Sequence, residues 1–131
     1  MIRPAAKPIH LDTSFLIQAL DPERPEAAKL HEWLQVRRAI AMSTLAWGEF
    51  LCGPLAEDDE TTAERIAHRH VPVGTAEATR AARLFNHAGR RRNSFPDCII
   101  AATAILAGAE LATSNPADFR RFRDAGLELA E

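Results

Sequence analysis

The sequence predicts an α/β fold: a central, mostly parallel sheet of four to five strands flanked by helices as a three-layer sandwich. Two observations carry that prediction. Short apolar runs of strand length alternate with longer stretches whose apolar residues recur at helical spacing. The order is strand, helices, strand, helices, strand, two helices, strand, helix, strand, the pattern of parallel strands joined by right-handed crossovers. Size agrees, since 131 residues with 47% hydrophobic content fit one domain, 1–131, able to bury a sizeable core.

Each element has a local reason. Ile9-His10-Leu11 is the first strand, and Asp12-Thr13-Ser14 closes it. Ser14 to Leu20 then reads as a short helix, and Asp21-Pro22-Glu23-Arg24-Pro25 as a turn. A helix over Glu26 to Arg38 follows, with Pro25 suited to a first helical position. Its apolar face is Ala27, Leu30, Leu34 and Trp33, and Arg37-Arg38 suit the negative end of its dipole. Ala39 to Met42 is the second strand. Ser43 or Thr44 caps the helix Leu45 to Cys52, which stops at Gly53-Pro54. Ala56 to His70 is charged throughout and reads as a solvated helix. Val71-Pro72-Val73 is a strand that proline confines to an edge or a strand start. Ala76 to Gly89 is a helix, and Arg90-Arg91-Arg92-Asn93-Ser94 a basic loop. Phe95-Pro96-Asp97 opens the most apolar helix, which ends at Gly108; apolar residues nearly all round it predict burial. Glu110 to Thr113 is a strand, Phe119 to Asp124 a short basic helix, and Leu127 to Leu129 a final strand.

Composition excludes several classes. Sixteen Lys+Arg against 18 Asp+Glu give a formal net charge of −2, so no global polyanion-binding charge exists. Lysine occurs only at Lys7 and Lys29, leaving arginine as the main base. Cys52 and Cys98 lie in apolar helical segments and read as buried thiols, not a disulfide framework or a zinc site. Met1 to Pro8 is polar, with no apolar region of signal length behind it, and nothing approaches a membrane span. The expected setting is cytoplasmic.

Four acids stand where a site at the top of such a sheet would need them. Asp12 ends the first strand, and ligands of open α/β sheets bind outside the carboxyl ends of the strands. Glu49 lies on the helix after the second strand. Asp97 is in the first turn of the buried helix, and Asp118 follows the fourth strand. Each has a plain structural reading beside this one. Asp12 or Asp118 would cap a helix, Asp97 would complement a helix dipole, and Glu49 would be a solvated helix acid. Taken together they point elsewhere. Carboxylates converging in one cleft repel each other, and a hard cation such as Mg²⁺ or Mn²⁺ is their usual compensation.

Four stretches carry a resemblance to a known family. They are Leu11-Asp12-Thr13-Ser14-Phe15-Leu16-Ile17, Ser43 to Gly53 around Glu49, Phe95 to Ala104 around Asp97, and Leu111 to Phe119. In this order and at this chain length the sequence resembles the PIN domain, and within it the VapC-like toxins of bacterial toxin–antitoxin pairs. The resemblance implies a PIN-like sandwich and a Mg²⁺- or Mn²⁺-dependent ribonuclease. Asp12, Glu49 and Asp97 match the family's first three acids, as catalytic residues and metal ligands. Asp118 matches the fourth, with Asn115 the alternative at that end of the site. Thr13 and Thr113 match small polar residues that support the site. The resemblance also implies a small antitoxin protein as partner and a homodimer. Phe15, Leu16, Leu20, Leu30, Trp33, Trp47 and Phe50 are apolar positions open to such contacts or to the core. Arg90, Arg91 and Arg92 are candidates for contact with RNA phosphates, since arginine pairs well with phosphate, and Arg120, Arg121 and Arg123 lie close to Asp118.

Two other readings stay open at this point. A different Mg²⁺-dependent phosphohydrolase would also begin with a strand ending in Asp. The second acid two residues on and the late-strand lysine of the commonest such folds are absent. A non-catalytic RNA- or protein-binding module would keep the fold and use the acids as caps.

Overall fold

The computed structural model describes residues 6–131, so most of the polar stretch 1–8 lies outside the described residues. Among the described residues, five parallel strands form one sheet: β1 (Ile9–Leu11), β2 (Ile40–Ser43), β3 (Arg69–Val71), β4 (Glu110–Ala112) and β5 (Glu128–Leu129). Their spatial order is β3-β2-β1-β4-β5. The order reverses direction at β1, which has β2 on one side and β4 on the other. Such a switch point leaves a crevice at the carboxyl ends of the strands, and Asp12 stands there.

Among the described residues, seven α-helices flank the sheet: α1 (Thr13–Ala19), α2 (Pro25–Gln35), α3 (Thr44–Cys52), α4 (Asp59–Ile66), α5 (Thr75–His87), α6 (Phe95–Leu106) and α7 (Pro116–Phe119). A 3-10 helix, Arg120–Ala125, follows α7. Their starts follow from the sequence. Pro25 and Pro96 sit in the first turns of α2 and α6, where a missing N–H costs nothing. Ser43 caps α3, its hydroxyl accepting from the Ala46 N–H at 3.1 Å. Glu77 reaches back from α5 to the Gly74 N–H at 2.8 Å, tying down that helix's entry. Gly108, at φ +64, takes the left-handed turn that ends α6.

The core joins both faces of the sheet. Ile9, Leu11, Leu16, Met42, Phe50, Ile100, Leu111, Phe119 and Phe122 are almost wholly buried. As predicted, α6 is buried along most of its length.

Several expectations are corrected. The solvated helix expected over Ala56 to His70 is only α4, and β3 begins at Arg69, before Pro72 rather than around it. Proline cannot donate to a ladder, so the strand ends at Val71. The helix expected to reach Arg38 ends at Gln35; Arg37 has φ 58, which no helix accommodates. Trp33 is buried and stacks on Phe15 at 5.5 Å, whereas Leu34 is 42% exposed. The buried stripe of α2 therefore runs through Leu30 and Trp33. Cys98 is buried but Cys52, in the last turn of α3, is exposed. The final basic helix divides into α7 and the 3-10 helix. Phe15, Leu16, Leu30, Trp33 and Phe50 are core residues, and the apolar side chains left exposed on the early helices are Ile17, Leu34 and Leu51.

Candidate active site

The crevice is built from the ends of three strands. Asp12 follows β1 directly, and its backbone N–H donates to the Ala112 carbonyl at 2.9 Å, which locks it against β4. Its carboxylate does not cap α1. Instead, Oδ2 accepts from the Ser14 hydroxyl and from the Thr113 hydroxyl, each at 2.8 Å. Two hydroxyls on different elements thus aim one buried carboxylate. Asp12 is only 6% exposed. Burial pushes its carboxyl above the usual range, the two hydroxyls oppose that shift, and the charge of Asp118 adds to it.

Glu49 projects from α3. As a whole residue it is exposed, but its carboxylate leans onto Thr13, whose hydroxyl lies 3.1 Å from Glu49 Oε1 and 3.1 Å from the Ala46 carbonyl. One hydrogen cannot serve both at full strength, so Thr13 is shared between the acid and the helix backbone. Partial burial raises the Glu49 carboxyl; the Thr13 hydroxyl opposes this and Asp12 adds to it.

Asp97 lies in the first turn of α6. Its carboxyl is pushed up to about 6, first by burial and then by the charges of Asp12, Asp118 and Glu49, against a lowering by Arg121. Asp97 is therefore within electrostatic reach of the other three predicted acids. Among the described residues, however, no group of three acids, histidines or cysteines is spaced to hold a metal ion.

Asp118 sits inside α7, so it does not cap that helix; Asn115 holds the cap position. Asn115 is exposed and is tied to the cluster by its backbone N–H, which donates to Thr113 Oγ1 at 3.0 Å. Of the three loop arginines, Arg91 reaches the site, its Nη1 lying 3.8 Å from Asp118 Oδ1. Arg90 and Arg92 are exposed and form no ion pair among the described residues.

Two features escaped the residue pattern. Ser114 donates to Glu26 of α2 at 2.6 Å, tying the loop after β4 to a helix almost ninety residues earlier in the chain. Arg121 is the cation whose charge lowers Asp97. Its Nε donates to the Asp118 carbonyl at 3.1 Å, its guanidinium lies 4.5 Å from the Phe122 ring centre, and Nη1 and Nη2 are buried without a hydrogen-bond partner among the described residues. The only available signal was the run of arginines after Asp118, which does not say which one turns inward.

Chemically, the crevice presents four carboxylates and several hydroxyls, with one inward arginine as partial compensation. That donor set fits a hard, oxygen-preferring cation.

Comparison with known proteins agrees with this architecture. No curated protein sequence matches the chain. Among solved structures, a toxin–antitoxin complex from Klebsiella pneumoniae is 26% identical, with 86% of this chain and 90% of that one covered and a TM-score of 0.69. VapBC2 from Rickettsia felis, bound to a DNA fragment from its promoter, is 19% identical, with 93% and 96% covered and a TM-score of 0.69. VapC20 from Mycobacterium tuberculosis, a toxin that cleaves the sarcin–ricin loop, is 16% identical, with 93% and 98% covered and a TM-score of 0.65. The profile of the PIN domain matches residues 9–125, which takes in every strand except β5 and all four acids. The chain belongs to the PIN domain family.

Proposed function

We propose that this protein is a divalent-metal-dependent ribonuclease and the toxin of a cytoplasmic toxin–antitoxin pair. What supports the reading is the repulsion that Asp97 feels from Asp12, Asp118 and Glu49 beside the switch point of the sheet, which a bound cation would relieve. Asp12 and Asp97 are the primary candidates to hold Mg²⁺ or Mn²⁺, with Glu49 and Asp118 completing the site. When bound, such an ion neutralises phosphate charge and lowers the pKa of a coordinated water.

The chain's own groups have defined tasks. Ser14 and Thr113 keep one oxygen of Asp12 occupied and so aim the other into the crevice. Thr13 orients Glu49. A carboxylate held in that way can orient an attacking water and accept its proton. Arg91 is placed to exchange Asp118 for an RNA phosphate, and Arg90 and Arg92 extend the cationic track beside it. The solved structures resembled include toxins bound to their antitoxins, which supports a small antitoxin as partner. A homodimer is part of the same proposal.

Purified protein should cleave RNA only with Mg²⁺ or Mn²⁺, and Asp12→Asn should abolish cleavage while the circular dichroism spectrum stays that of the parent. Sequencing the cleaved ends after induction in cells identifies the target. Cleavage persisting in Asp12→Asn, or in the presence of a chelator, would refute the assignment.

A further inference from the structure

A second concave site lies on the same sheet, toward the amino ends of the strands and away from the acids. The parallel register places His10 beside Ala41, and Ala41 beside Arg69. Side chains paired in this way project from one face, so the three form a row across β1, β2 and β3, with its ends roughly 10 Å apart. The middle member is a methyl group. The space it leaves, roofed by Thr103 and Leu106 of α6, is a cavity of about 400 Å³, within the usual range for small-molecule sites.

His10 makes this cavity unusual. It is 3% exposed in the central strand of the sheet, lines the cavity, and hydrogen-bonds to no other described residue through its side chain. A neutral imidazole offers one donor and one acceptor. Arg69 stands exposed at the rim, with no carboxylate within ion-pair distance among the described residues. Among the described residues, Glu77 is the one acid lining the cavity, and its Oε1 is engaged by the Gly74 N–H. The walls between are aliphatic, from Ile40, Val71 and Leu106.

We propose that this cavity binds a small organic carboxylate with a flat apolar body. The carboxylate meets Arg69, the body lies over Ala41 beneath α6, and a polar edge of the ligand meets His10. The proposal is independent of the nuclease reading, because its test involves neither RNA nor a metal.

The test is titration of the full chain, in chelator, with indole-3-carboxylate, followed by amide chemical shifts and calorimetry. Saturable shifts in the millimolar range or tighter should cluster at His10, Ala41, Arg69 and Thr103. Indole-3-carboxamide should bind roughly tenfold more weakly, the loss expected for one charge-assisted contact. Arg69→Gln, an exposed change, should remove that preference. Leu106→Trp, at the half-exposed rim, should block both compounds while leaving the rest of the spectrum in place. The absence of saturable shifts in the folded protein, equal binding of acid and amide, or equal binding of inorganic phosphate would each overturn the proposal.

Discussion

Replacing Asp97 by Asn should stabilise the protein when divalent cations are removed, and should also remove its stabilisation by them. The carboxyl of Asp97 rises from the usual 3.8 to about 6. At about 1.36 kcal/mol per pKa unit, that is about 3 kcal/mol of unfavourable charge at neutral pH. Asp97 is only half-buried, so solvent screens much of this. Losing a negative charge from the first turn of α6 costs about 0.3–1 kcal/mol in the other direction. The net expectation is a gain of about 1 kcal/mol, or about 3 °C in melting temperature for a chain of this size. A folded-state pKa raised in this way contributes stability at low pH that is lost as pH climbs from about 4 to 6. In chelator the parent should therefore weaken across that window relative to Asp97→Asn. Added Mg²⁺ or Mn²⁺ should reverse the order, with a concentration ten times the dissociation constant stabilising the parent by about 1.4 kcal/mol. Urea denaturation of both proteins at pH 5 and pH 7.5, with and without cation, measures each contribution. If the Asp97→Asn variant is no more stable than the parent in chelator and both gain equally from the cation, the repulsive cluster is not what shapes this site.

Other perturbations separate other parts of the molecule. His10 has its folded-state pKa lowered to about 4, so between about 4 and 6.5 the unfolded chain takes up a proton that the folded chain refuses. Stability should fall with acidification through that window by as much as about 3 kcal/mol, and His10→Phe should abolish that component in urea titrations at pH 7 and pH 5. Arg91→Gln should weaken RNA binding and reduce the salt slope by about 1 if Arg91 meets a phosphate; filter binding of Asp12→Asn with and without this change reads it. Phe50 is 1% exposed and stacks on Trp47 at 5.7 Å, so Phe50→Ala should cost about 3–5 kcal/mol, seen as a lowered urea midpoint.

The strand and helix order was legible in the sequence because buried strands are short apolar runs and the helices carry their own start and stop residues. Pro25, Ser43, Pro96 and Gly108 mark boundaries that the structure keeps. The elements that shifted lacked such marks. β3 is Arg69-His70-Val71, partly exposed and without an apolar run, so only pairing with β2 makes it a strand. Leu34 and Trp33 are neighbours on α2, and which of them faces inward depends on the Phe15 ring opposite.

The four acids were legible one at a time, Asp12 at a strand end, Asp97 and Asp118 near helix starts and Glu49 within a helix. Their identity, the parallel α/β order and the hydroxyls placed beside Asp12 are properties of the chain read in one dimension. What those groups do to one another is a matter of three-dimensional packing. Packing turned the Asp12 carboxylate away from capping, because Ser14 and Thr113 reach it from different strands' ends. It selected Arg121 from a run of arginines and turned it inward, and it set His10, Ala41 and Arg69 in one row. The physical reason is common to all three. Hydrogen bonds, charge fields and cavities depend on distances between residues far apart in the chain, and the register of the sheet fixes those distances.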